Sequence, residues 1–69
     1  MNNIIVSVNG RSTTVPHGAT VTDLAAQLKL ATKIVIVELN GAPLSREEFP
    51  TTVLGPGDAI EIVQMVGGG

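Results

Sequence analysis

The chain has 69 residues, 43% of them hydrophobic, 14% charged and one aromatic, with a formal net charge of −2 and no cysteine. That length sets one small domain, which buries only about 60% of the surface its unfolded chain exposes and so depends on an efficient core. The composition excludes disulfides, thiolate nucleophiles and cysteine metal sites; the four basic residues, Arg11, Lys29, Lys33 and Arg46, argue against nucleic acid as a partner; and no apolar run approaches the roughly 20 residues of a membrane span.

Met1-Asn2-Asn3 lacks the positive run that opens a secretory signal, so the sequence reads as a soluble cytoplasmic protein. Ile4 to Val8 is rich in β-branched residues, and Ile4, Val6 and Val8 share one face of a strand. Asn9-Gly10 is a strong hairpin signal, because a type I′ turn needs positive φ at both central positions. Arg11 to Val15 is the returning strand, closed by Pro16-His17-Gly18, where proline cannot donate to a ladder.

Thr20-Val21-Thr22-Asp23 is a helix N-cap pattern, and Asp23 suits the positive end of the helix dipole. Val21, Leu24, Ala25 and Leu28 then recur at helical spacing, which places a helix at about 21–29 with Lys29 near its C-terminal end. Lys33 to Leu39 is the most β-prone run, nearly continuous in apolar residues. It reads as a central strand, and the strand–turn–helix–strand connection allows it to return parallel to the first strand. Asn40-Gly41 is a second tight turn, and Ala42-Pro43-Leu44 suffices for a short edge segment. Ser45 opens a capped turn with Glu48 three residues on, and Phe49, the one aromatic residue, anchors the loop to the core. Thr51 to Leu54 reads as a short strand, Gly55-Pro56-Gly57-Asp58 as a turn, and Ala59 to Met65 as the last strand. On that strand Ile60 and Ile62 share one face, and Glu61, Val63 and Met65 the other.

This order gives an α+β fold of the ubiquitin-like β-grasp type, a mixed sheet with one helix packed across it. The expected core is Ile4, Val6, Val8, Val15, Leu24, Leu28, Val35, Val37, Leu39, Ile60 and Ile62. Residues 1–66 form the β-grasp domain and 67–69 a flexible glycine tail. No autonomous active site is legible. The single histidine, His17, sits in a turn without the partners of a catalytic or metal cluster. Glu47 and Glu48 are adjacent on a turn and diverge. Gly55 and Gly57 lack the glycine pattern and setting of a phosphate loop.

The chemistry points instead to Gly67, Gly68 and Gly69. Without Cβ atoms they make a thin thread that fits a narrow active site on another protein, and from Val66 it extends roughly 13–14 Å at about 3.3–3.6 Å per residue. Its one functional group is the Gly69 carboxylate, ionised at neutral pH and unreactive as an acyl donor until a leaving group is installed. A frayed end without function is the plain alternative.

Several stretches together resemble the ThiS family, the bacterial sulfur carriers of thiamine biosynthesis. They are Lys33-Ile-Val-Ile-Val-Glu-Leu-Asn40-Gly41, Leu44-Ser45-Arg46-Glu47-Glu48-Phe49, Gly57-Asp58-Ala59-Ile60-Glu61-Ile62-Val63 and the final Val66-Gly67-Gly68-Gly69. The resemblance implies a co-substrate and not an enzyme, with no cofactor of its own. An E1-like adenylyltransferase would use ATP to activate the terminal glycine, and a persulfide donor would supply sulfur. The resulting thiocarboxylate would feed thiazole synthase. The usual family ending is Gly-Gly, so the third glycine leaves Gly69 or, after trimming, Gly68 as the reactive end. The small subunit of molybdopterin synthase, a ubiquitin-like modifier and a plain interaction domain are the other readings. Ile5, Ile36, Val63 and Met65 point away from the helix and form a candidate docking patch for the activating enzyme and the synthase, with Val66 at the root of the thread.

Overall fold

The computed structural model describes residues 2–30 and 35–64. Its elements are β1 (Asn3–Val8), β2 (Arg11–Pro16), α1 (Val21–Gln27), β3 (Val35–Leu39), β4 (Ala42–Leu44), a 3-10 turn (Arg46–Glu48) and β5 (Ala59–Gln64). The five strands form one sheet in the order β2-β1-β5-β3-β4. β1 pairs antiparallel with β2 from Asn3↔Pro16 to Val8↔Arg11, and parallel with β5 at Ser7↔Ala59 and Val8↔Ile60. β3 pairs antiparallel with β5 and with β4. With one helix across this mixed sheet, the architecture is the ubiquitin-like β-grasp.

Both Asn-Gly pairs adopt the backbone that the hairpin reading requires: Asn9 and Gly10 have φ of 51° and 84°, and Asn40 and Gly41 have 52° and 85°. The helix starts where the sequence places it. Asp23 N–H donates to Thr20 Oγ1 at 3.2 Å, and Thr20 N–H donates to the Asp23 carboxylate at 2.9 Å. It stops two residues earlier than the spacing predicts, at Gln27. Lys29 turns left-handed at φ 60°, and the Lys29 and Leu30 N–H groups bond back to Ala26 O and Ala25 O at 3.0 and 2.9 Å. This is a Schellman termination with lysine in the position glycine usually holds.

That early stop changes the core. Leu28 caps the helix and is 36% exposed, whereas Leu24 one turn earlier is fully buried. The other expected residues Ile4, Val6, Val8, Val15, Val35, Val37 and Ile60 are buried, and Leu39 and Ile62 pack partly buried against them. Ala19, Val21, Phe49 and Leu54 join the cluster.

Three expectations about strands are corrected. β3 is not parallel to β1; it runs antiparallel to β5, which is itself parallel to β1. The helical crossover leaves from β2, the reversed arm of the hairpin, so it returns β3 parallel to β2. The central strand is β5, and β3 is one place from the edge, covered on one face only, with Val35 and Val37 buried and Ile36 and Glu38 exposed. Thr51 to Leu54 forms no strand and contributes one isolated bridge, Thr20↔Val53. Its chain is instead held by Val21 N–H to Thr52 O at 3.0 Å and Leu54 N–H to Ala19 O at 2.9 Å. Lys33 and Ile34, expected to open β3, lie outside the described residues.

The contrast between two leucines one turn apart is testable. Leu24→Ala should lower stability by about 2–5 kcal/mol, the cost of emptying a filled core site. Leu28→Ala, at the rim, should cost about 1 kcal/mol or less because part of its surface already meets water. Urea denaturation midpoints of the two variants check this; equal midpoints would contradict the assignment.

Candidate functional site

The site must be built around β5, because the glycine thread follows it directly. β5 alternates Ile60 and Ile62 toward the helix with Glu61 and Val63 toward the open face. On the open face Val63 stands directly opposite Ile36 of β3. The two are 59% and 49% exposed, and directly opposed residues bring their Cβ atoms within about 4.5–5.5 Å. They form one apolar pair near the C-terminal end of β5.

Ile5 does not belong to this pair. It is 60% exposed and on the same face, but Ser7 is level with Ala59, and Gly57 N–H donates to Ile5 O at 2.9 Å. Ile5 therefore lies level with Gly57, at the opposite end of the sheet, about 20 Å from Val63 at roughly 3.3 Å per residue. Met65, Val66, Gly67, Gly68 and Gly69 lie outside the described residues.

The structure adds a feature that the sequence reading missed. Glu38 and Glu61 are also directly opposed across β3 and β5, next along the same face from Ile36 and Val63. Both are exposed. Like charges in this position repel, so the open face carries an apolar pair bordered by concentrated negative charge. The signal lay in the register, which the sequence does not display.

The remaining polar groups serve local structure. Glu48 accepts from Ser45 N–H at 2.8 Å and from Ser45 Oγ at 2.9 Å. These two bonds, the backbone one first, hold its carboxyl below the usual range. Asp58 accepts from Gly55 N–H at 2.7 Å and so closes the turn before β5. His17 is exposed, as expected for a turn residue. Among the described residues no three His, Cys, Asp or Glu side chains gather as metal ligands would, and no helix is long and apolar enough to cross a membrane.

The ThiS family model matches residues 2–69. The chain belongs to the ThiS family. It is 46% identical over 50 residues to the sulfur carrier protein ThiS of Bacillus subtilis, covering 72% of this chain and 76% of that protein. The crystal structure of the thiamine biosynthesis protein ThiS from Geobacter metallireducens superimposes with a TM-score of 0.80 at 42% identity, over 96% of this chain and all of that one. A solution structure of a computationally designed protein based on ubiquitin matches with a TM-score of 0.56 at 21% identity, over 100% of this chain and 98% of that one. That likeness concerns the fold alone. Membership of the ThiS family thus agrees with the resemblance read from the motifs.

If Glu38 and Glu61 repel as their register requires, Glu61→Lys should raise the stability of the free domain by a few tenths of a kcal/mol. The gain should shrink as salt screens the pair. Thermal midpoints at low and high ionic strength measure both effects.

Proposed function

We propose that this chain is a cytoplasmic sulfur carrier of thiamine biosynthesis, a co-substrate whose terminal glycine carboxylate becomes a thiocarboxylate. The observation that carries the reading is the ThiS family match through residues 2–69, in a sequence whose Gly67-Gly68-Gly69 thread follows a strand in the middle of the sheet. A sulfur carrier of the same family, 46% identical, supports it.

The chemistry needs little from the carrier. An E1-like adenylyltransferase binds the thread and ATP. The carboxylate of Gly69, or of Gly68 after trimming, attacks the α-phosphate, and pyrophosphate leaves. The acyl-adenylate then has a good leaving group. The terminal sulfur of a persulfide donor attacks the acyl carbon and displaces AMP. A thiol cleaves the resulting acyl disulfide, taking the donor's sulfur into a new disulfide and leaving the thiocarboxylate on glycine. Thiazole synthase accepts that sulfur. The carrier itself contributes a thread too thin to obstruct the partner's active site. It also contributes a docking face, Ile36 and Val63 beside Glu38 and Glu61, with Met65 and Val66 at the root of the thread. A partner surface that pairs an apolar patch with cationic side chains would complement it and lift the repulsion between the two glutamates.

Incubation with the adenylating enzyme, ATP and a persulfide donor should exchange one carboxylate oxygen of the terminal glycine for sulfur, located by intact mass and a C-terminal peptide spectrum. Deleting Gly68 and Gly69 should abolish the exchange without unfolding the domain, and Gly68→Val should block it by thickening and stiffening the thread. Val63→Asp should leave the fold intact and raise the carrier concentration needed for half-maximal turnover. Attachment to lysines of other proteins would instead identify a modifier, and no ATP-dependent change would reject the carrier reading.

A further inference from the structure

The two Asn-Gly turns do more than reverse the chain. β1 ends at Val8, and Asn9 N–H makes one more backbone bond, to Ile60 O at 2.9 Å. The main chain then leaves the sheet, but the Asn9 carboxamide continues the pairing. Its Nδ2 donates to Ile62 O at 3.1 Å, and its Oδ1 accepts from Ile62 N–H at 2.8 Å. A carboxamide carries the same donor and acceptor as a peptide group, so this side chain replaces the missing rung of the β1–β5 ladder. Asn9 thus takes both backbone groups of Ile62 on the β1 side, while Val37 of β3 faces Ile62 in register on the other.

Asn40 makes the matching contact at the other end of the strand. Its N–H donates to Ala59 O at 2.7 Å, its Oδ1 accepts from Ala59 N–H at 2.9 Å, and its Nδ2 donates to the Asp58 carboxylate at 3.1 Å. β5 is thus clamped from the β1 side by Asn9 at Ile62, near its exit, and by Asn40 where it enters the sheet, and it stays paired with β3 for two more residues, to Gln64. Only the exit clamp adjoins the reactive thread: Ile62 lies seven residues before Gly69.

We propose that Asn9 is a positioning residue for sulfur transfer, stiffening the last part of β5, the strand that leads to the glycine thread. The inference rests on the sulfur-carrier reading. A thread can place its terminal carboxylate in a partner's active site only relative to its last fixed residue. Pairing with β3 carries β5 to Gln64, and Asn9 adds a hold from the β1 side two residues before that point. Without it, both backbone groups of Ile62 face water, β5 is held from the β3 side alone from Glu61 onward, and the strand that leads to the thread loses stiffness. The docking face at Ile36 and Val63 retains its β3–β5 pairing, so recognition of the partner should suffer less than alignment at the reacting atom.

The substitutions must respect the turn. Asn9→Gly tolerates the positive φ without strain and removes the carboxamide. Asn9→Asp keeps the acceptor for Ile62 N–H and loses the donor. Asn40→Gly removes the entry clamp and serves as the control for a general loss of stability. The experiment is steady-state thiocarboxylate formation by the adenylating enzyme with ATP and a persulfide donor, varying carrier concentration, together with urea midpoints of each variant.

Asn9→Gly should lower kcat about tenfold, in keeping with the rate cost of small misplacements at a reacting centre, and leave KM within about twofold. Asn9→Asp should fall between Asn9→Gly and the native chain, and it decides the matter if Asn9→Gly does not fold. Asn40→Gly should shift the urea midpoint by a similar amount and leave kcat within about twofold of the native value. Equal losses of kcat in Asn9→Gly and Asn40→Gly, or native kcat in a folded Asn9→Gly, would overturn the positioning role and leave the carrier reading standing. A native chain that acquires no sulfur would overturn both.

Discussion

The structure depends on the insertion of its last strand between two hairpins. β1–β2 and β3–β4 are each local, joined by Asn9-Gly10 and Asn40-Gly41, and they do not pair with one another. β5 joins them, parallel to one and antiparallel to the other. Its contacts span most of the chain; the Asn9–Ile62 bonds alone bridge 53 residues. The entropic cost of closing such a loop is recovered only when β5 docks, so the sheet forms as a unit or not at all. The core shows the same dependence. Ile60 sits 1% exposed beneath the helix with Val6, Val37 and Leu24, residues from both hairpins and from α1. In a domain this small, that one cluster supplies most of the apolar burial available.

Under the proposed function the molecule has two parts with opposite demands. A reactive carboxylate has to travel into another protein's active site, which requires a thread without side chains. The body has to be recognised and to hold the thread's origin still, which requires a strand that does not fray. Placing the thread after the central strand meets both demands, since a strand flanked on each side gives up its register less readily than an edge strand. In the docking mode we propose, the open face is the surface that a partner meets. Ile36 and Val63 offer apolar area next to the thread's origin, and Glu38 and Glu61 border it with a charge pair that is unfavourable in the free domain and favourable against a cationic partner. Surfaces that tolerate local repulsion of this kind trade some stability for specificity.

Local rules carried much of this into the sequence. The two Asn-Gly turns, the Thr20–Asp23 cap, the alternation of Ile4, Val6 and Val8, and the anchoring of Phe49 all follow from chemistry within a few residues. What failed was set by tertiary placement. Helical spacing put Leu28 in the core, but the left-handed Lys29 ends the helix before that side chain can turn under the sheet. The β-prone run ending at Leu39 looked central because it is apolar. One of those apolar residues, Ile36, instead faces outward. The direction of β3 follows from a crossover that starts at β2, not at β1, which local sequence patterns do not display. On the candidate site, alternation correctly sent Ile5, Ile36 and Val63 outward. Register then separated Ile5 from the other two, and register also brought Glu38 against Glu61. The asparagines were legible as turn formers, but nothing in the dipeptide reveals that each side chain also bonds a strand far along the chain.

The central claim is that the Asn9 carboxamide extends the two-sided hold on β5 as far as Ile62. Amide hydrogen exchange on the native chain tests it most directly. Most strands near a chain end fray, and their amides exchange through local opening at little free-energy cost. The Ile62 N–H, bonded to the Asn9 carboxamide at 2.8 Å, should instead exchange as slowly as amides of the buried core, through opening of the whole domain. An Ile62 amide that exchanged at the rate of an unprotected chain end would show that the strand is free before the thread begins, and would contradict the account.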